Sequence, residues 1–169
     1  MRELLPMTAV LSPCSLYRYR LERDVQLAGQ VFAYFGINPS TADATLDDAT
    51  VRKWRGFTLR NGGRRFIVGN IFAYRSTDPK ALTRVDDPFG PDWQRHLAEI
   101  IAEADVLVPC WGAIGKMPPD LRGAPSQLLA HLIASGKPVL HFGRTACGQP
   151  KHPLMLGYDT PLQPWGGQP

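Results

Sequence analysis

The sequence predicts an α/β protein, a three-layer sandwich around a central, mostly parallel, four-stranded sheet. Two observations carry that prediction. Segments with strand and helix character alternate along the chain, beginning and ending on a strand. The strand segments are near-continuous apolar runs, such as VFAYFGI at 31–37 and RFIVGNI at 65–71. Strands of that kind are buried on both faces. The length of 169 residues suits a single α/β domain over 1–169. An N-terminal hairpin or arm is expected at about 14–30 and an irregular tail at about 144–169.

The elements follow in order. Residues 15–30 alternate loosely and place Arg18, Arg20 and Arg23 among aromatics. They read either as a basic lining for a phosphate groove or as an edge hairpin with a solvated face. The first buried strand, 31–37, runs into Asn38-Pro39-Ser40-Thr41. A helix from about Ala49 to Arg60 comes next, capped by Asp47 or Asp48. Its inward stripe is Val51, Trp54, Phe57 and Thr58, and Asn61-Gly62-Gly63 stops it. The second strand, 65–71, delivers Asn70 to its carboxyl end. Pro91 opens a helix with Trp93, Leu97, Ile100, Ile101 and Ala104 on its apolar face. The third strand, 105–110, ends at Trp111-Gly112. Pro125 begins a helix with Leu128, Leu129, Leu132 and Ile133 inward, closed by Gly136. The fourth strand is PVLHFG at 138–143.

Composition narrows the function classes. Gly and Pro, 16 of each, make up nearly a fifth of the chain, against roughly 12% in average proteins. Without a repeat period, that excess means many connections rather than a fibrous protein. A net charge of +4 is compatible with nucleic acid or a nucleotide as partner. No apolar run is long enough for a membrane span, and Met1 to Pro6 is not followed by a signal-peptide core. A cytoplasmic protein is expected. Cys14, Cys110 and Cys147 are odd in number and widely spaced, which argues against a disulfide scaffold. There is no phosphate-loop motif, dinucleotide fingerprint, nucleophile elbow or zinc-ligand spacing. No cofactor and no metal site are predicted. Oligomeric state is not specified by the sequence.

In parallel sheets, sites form beyond the carboxyl ends of the strands, and each predicted strand here ends in unusual residues. Asn38 has an amide to hold a water or a carbonyl. Pro39, Ser40 and Thr41 form a turn whose free amides suit a phosphate or simply cap a helix. Among Asp43, Asp47 and Asp48, one carboxylate can serve as general base, and capping accounts for the others. Asn70 offers the donor and acceptor that a base edge requires. Phe72 and Tyr74 are candidates for stacking on a base. Arg75, Trp111 and Lys151 are further candidates for substrate contact. His152, before Pro153 in a loop with Arg144 and Lys151 nearby, can stabilise a leaving anion.

These residues closely resemble the bacterial and phage family known as domain of unknown function 1643. The resemblance rests on Asn38-Pro39-Ser40-Thr41-Ala42-Asp43 with Asp48-Ala49-Thr50-Val51, Asn70-Ile71-Phe72-Ala73-Tyr74-Arg75, Trp111-Gly112, and His152-Pro153-Leu154 with Tyr158-Asp159-Thr160-Pro161. It runs from about Cys14 to Trp165 and carries no activity. More distantly, the chain resembles the uracil-DNA glycosylase superfamily. Gly36-Ile37-Asn38-Pro39 is similar to the mismatch-specific branch, in which the asparagine positions the attacking water. Asn70 stands where related branches contact the flipped base. His152-Pro153-Leu154 is similar to the closing His-Pro-Ser loop, with Leu154 replacing the serine and Ser40 replacing the glycine after Pro39. The resemblance implies a glycosylase-like fold and a protein acting on a nucleobase, a nucleotide or a modified base in DNA. It implies hydrolysis of an N-glycosidic bond with Asn38, Asp43 or Asp48, and His152 as catalytic groups. The alternatives are a nucleotide or nucleic-acid binding domain without hydrolysis, and a small-molecule enzyme of nucleotide modification.

Overall fold

In a computed structural model, which describes residues 7–40 and 42–166, five strands form one mixed sheet. The strands are β1 (Thr8–Leu11), β2 (Arg18–Asp24), β3 (Gln30–Gly36), β4 (Gly63–Asn70) and β5 (Val106–Pro109). Their order is β1-β2-β4-β3-β5. β4, β3 and β5 are parallel neighbours, β2 runs antiparallel to them, and β1, antiparallel to β2, closes that edge. The parallel core therefore has three strands, not the four expected.

The fourth predicted strand contributes little. Only Leu140–His141 is extended enough to pair, as β6, and it pairs with Gln163–Pro164 of the tail, β7. Its link to the main sheet is a single bridge between Leu107 and Val139. Pro138 has no N–H to give a ladder, Gly143 turns the chain at φ +112°, and the Trp165 N–H donates to the Val139 carbonyl. The tail occupies the edge that another strand would need.

The N-terminal segment also departs from expectation. Of the hairpin and the arm, a hairpin forms, but it starts before residue 14 with β1, and β2 lies inside the sheet between β1 and β4 and not at its edge. Its arginines are buried rather than solvated: Arg18, Arg20 and Arg23 are 3%, 7% and 0% exposed.

Helix α1 (Ala49–Arg60) covers one face of the sheet, and α2 (Trp93–Glu103) with α3 (Ala124–Ala134) the other. Strand periodicity sorts the core between them. Phe32 and Tyr34 of β3 join Val51, Trp54 and Phe57 of α1. Val31, Ala33 and Phe35 join Leu97, Ile100, Leu128 and Leu132 on the far side. This is why those strands lack polar residues. The α1 stripe is buried as predicted, and Asp48 caps the helix by accepting from the Val51 N–H. In α3, Ile133 is half exposed instead of inward, because Leu128 and Leu132 already fill the helix face against the sheet.

A β-bulge in β2 re-aims its side chains. Val10 pairs with Arg20 but Leu11 pairs with Arg18, which leaves Tyr19 as the extra residue. Arg20 and Tyr19 both face α2, where Arg20 reaches Glu103 and Tyr19 stacks on His96 at 4.8 Å. Arg18 is thereby turned to the α1 side with Leu21, and its Nη1 donates to the Ala42 carbonyl at 2.7 Å.

Candidate functional site

The carboxyl ends of β3, β4 and β5 meet the start of α1 around a cavity of about 140 Å³. Gly36, Ile37, Asn38, Pro39 and Ser40 follow from β3, Asn70 ends β4, and Trp111 lies just beyond β5. Asp48, Thr50 and Trp54 come from the start of α1, Arg18 from β2 and His152 from the tail.

Asn38 is anchored through its side-chain nitrogen, which donates to the carbonyls of Pro39, Tyr74 and Ser76 at 3.2, 3.2 and 2.9 Å. Three carbonyls around one atom identify it as the NH2 group. The amide oxygen is then the atom left to act as an acceptor. Asp48 is fixed from two sides, accepting from the Val51 N–H at 2.9 Å and from the Ser40 hydroxyl at 3.3 Å.

Asn70 is 6% exposed, and its Nδ2 has no partner among the described residues. Its room is made by Gly36, where a Cβ would come within 2.9 Å of the Asn70 Oδ1. Arg18 is likewise buried with its Nε unpartnered. The Trp54 indole N–H has only the weakly accepting Cys110 thiol nearby. Of five such unpartnered buried side-chain nitrogens in the described residues, three belong to this cavity's lining. Buried donors without acceptors are rare, so their concentration marks a place that something else completes.

The tail brings in His152. Gly112, at φ +75°, lets the loop after β5 approach the His152 Cβ to a contact that a Cβ at 112 would crowd at 3.0 Å. The Gly112 N–H donates to the Pro150 carbonyl at 2.8 Å, and the Trp111 indole N–H to the Gln149 side chain at 2.8 Å. The His152 Nδ1 accepts from the Leu154 N–H at 3.2 Å, so the neutral ring carries its proton on Nε2. Burial lowers the His152 pKa below its ordinary 6.5, and Asp48 opposes that shift. Burial also pushes Arg18 down to about 10, which leaves it cationic at neutral pH.

The cavity thus unites Asn38, Pro39, Ser40, Asp48, Asn70, Trp111 and His152 of the residues singled out from sequence. It excludes others. Asp43 accepts from the Thr45 and Leu46 N–H groups in its own turn. Phe72 is fully buried against Phe89 and cannot stack on a base. Tyr74 packs edge-on against Tyr17. Arg75 donates to the Ser40 carbonyl and supports the rim from behind. Lys151 is exposed and lies along Gly143. Thr41 lies outside the described residues. Thr50 and Trp54 are not among the site residues expected from sequence, and Arg18 is expected there only as part of a basic stretch that could line a phosphate groove. Trp54 reads from sequence as core, and a bulge that turns Arg18 inward leaves no local signature.

Cys110 is buried and its thiol pushed up to about 12. Among the described residues, no group of three or more His, Cys, Asp or Glu converges as metal ligands would. No described helix is long and apolar enough to cross a membrane.

The fold and cavity define an α/β protein with a donor-rich pocket at the carboxyl end of its parallel strands. The profile of the family described as "Protein of unknown function (DUF1643)" matches residues 18–154, and the chain belongs to that family. Every residue lining the cavity lies within that span. No curated protein and no solved structure matches the chain.

Proposed function

We propose that the strand-end cavity holds a single nucleobase and that the protein hydrolyses the N-glycosidic bond of that base. The observation that carries this reading is the buried, unpartnered Asn70 amide in one small cavity with Asn38, Asp48 and His152. The volume, about 140 Å³, matches one six-membered ring, since an apolar cavity of about 150 Å³ takes benzene. It falls below the several hundred Å³ of sites for larger ligands.

In this reading, Asn70 donates to the base edge. The Asn38 oxygen and the Asp48 carboxylate hold a water against the anomeric carbon. The water oxygen bonds to that carbon as the C–N bond breaks, and its proton passes to Asp48. The electron pair of the broken bond leaves with the base, and the Nε2–H of His152 offsets the charge. The meeting of Gly36-Ile37-Asn38-Pro39, Asn70 and His152 around one cavity supports the resemblance to uracil-DNA glycosylases. The same meeting supports a base in a nucleotide or turned out of a nucleic acid as substrate.

The test is release of free base from nucleosides, nucleotides and single- and double-stranded DNA carrying modified bases, detected by mass spectrometry. Wild type is expected to release base from at least one class. Asn38→Ala and Asp48→Asn are expected to slow release by about 100-fold or more. Asparagine also caps helices well, so Asp48→Asn should stay folded. If wild type releases base from none of these classes, hydrolysis is refuted. If release proceeds unchanged in Asn38→Ala, that residue does not position the water.

A further inference from the structure

We infer that Arg18 contacts the ligand and makes the cavity selective for an anionic planar heterocycle over its neutral counterpart. The inference rests on the reading of the cavity as a site for one ring, and adds the charge state of that ring. Three observations carry it. Arg18 lines the cavity at 3% exposure with its Nε unpartnered. Its one side-chain hydrogen bond among the described residues goes to a neutral carbonyl, that of Ala42, and no carboxylate of those residues forms an ion pair with it. The bulge at Tyr19 turns Arg18 to this side of the sheet, and bulges next to sites commonly re-aim a side chain.

A buried guanidinium without a carboxylate is costly unless a ligand supplies the missing charge. No carboxylate bonds Arg18 to offset that cost, whereas Arg23 on the same strand has its carboxylate, Asp47. The charged neighbours of Arg18 are Asp48 and Asp43, which favour its charge, and Arg75 and Arg23, which oppose it. His152, on the same cavity wall, is held toward neutrality by burial. Two of the cavity's buried unpartnered donors, Arg18 Nε and Asn70 Nδ2, have no acceptor. A ring rich in carbonyl oxygens and bearing negative charge satisfies both. In a glycosidic cleavage the departing base is such an anion, so Arg18 would stabilise it alongside His152.

The test is titration calorimetry of the full chain at pH 7.5 with three pyrimidine rings. Barbiturate is a pyrimidine trione that is anionic at this pH, uracil is its neutral analogue, and cytosine presents an amino group. A charge-assisted hydrogen bond predicts that wild type binds barbiturate about tenfold or more tightly than uracil. Arg18→Met, which keeps the aliphatic stem, should abolish that preference while uracil binding persists. Arg18→Lys should restore part of it, since the charge returns without the guanidinium fork. Equal affinity of wild type for barbiturate and uracil overturns the inference and leaves the base-binding reading standing. Barbiturate preference without base release from any substrate supports the inference and defeats hydrolysis. Failure of wild type to bind any of the three rings overturns the inference, whatever the release assay shows.

Discussion

The two ends of β2 place two buried arginines in opposite situations. Arg23 is fully buried and saturated. Its Nε donates to Asp47 at 2.8 Å, and its other nitrogens reach the carbonyls of Thr8, Glu22, Asp43 and Leu46. Arg18, five positions earlier, is nearly as buried but has one backbone carbonyl and an orphaned Nε. Residue type and burial are the same, so they do not separate the roles. Satisfaction does. Arg23 ties the 43–47 loop to the sheet and so carries Asp48 to the cavity rim, whereas Arg18 holds part of its hydrogen-bonding capacity in reserve at the cavity itself.

The widest gap between the two should appear in stability. Arg23→Met leaves several carbonyls without their donor and leaves Asp47 only the looser pair with Arg55 at 3.6 Å. Breaking a buried pair typically costs 3–5 kcal/mol. Asp47 retains some solvent contact, so a loss of about 3 kcal/mol is expected by urea denaturation. A loss below about 1 kcal/mol, the size of an exposed ion pair, would show that the loop holds itself.

Arg18→Met is the matching experiment with the opposite expectation. The variant loses the bond to the Ala42 carbonyl but also removes a desolvated charge. These two effects oppose each other, and the net change is expected to stay within about 1 kcal/mol. If Arg18→Met destabilises the protein as much as Arg23→Met, Arg18 is a structural residue and the comparison collapses. If the chain gains stability, the contrast sharpens, because residues retained for a ligand are commonly unfavourable to the fold.

The same contrast explains what the sequence made legible. Helix α1 could be read because Val51, Trp54, Phe57 and Thr58 recur at helical spacing and Asp48 precedes them. Asn38, Asn70, Trp111 and His152 could be read because apolar runs of parallel strands end there, and topology gathers strand ends. The place of Phe72 is not legible, because an aromatic beyond a strand end is equally suited to core and pocket. Its burial depends on Phe89, which lies 17 positions along the chain. The pairing of the 138–143 segment is not legible either, because its partner is the tail at 163–165. Arg18 was hidden for a related reason. Regular alternation from Leu21 would place it on the α2 side, and only the pairing with β1 reveals the extra residue at Tyr19. Long-range pairing decided each of these outcomes, and local pattern does not encode it.

His152 extends the comparison into pH. It is the second cavity residue whose charged form is disfavoured by burial, while Arg23 has its counter-charge built in. Burial places the folded pKa of His152 below 6.5. Between the two values the unfolded chain binds a proton that the folded chain does not, so stability rises with pH across that window. Above about 6.5 both states are neutral and His152 contributes no slope. Acidification through the window should therefore destabilise wild type. His96, also buried and lowered, contributes in the same direction, so the informative quantity is the difference between wild type and His152→Gln. That difference should be constant above about pH 6.5 and shift in favour of the variant as pH falls. The effect is the smallest of the three, because Asp48 recovers part of the cost of protonating His152. A pH-independent difference would place His152 in contact with enough water to lose the penalty, and would remove it from the set of residues buried for a ligand.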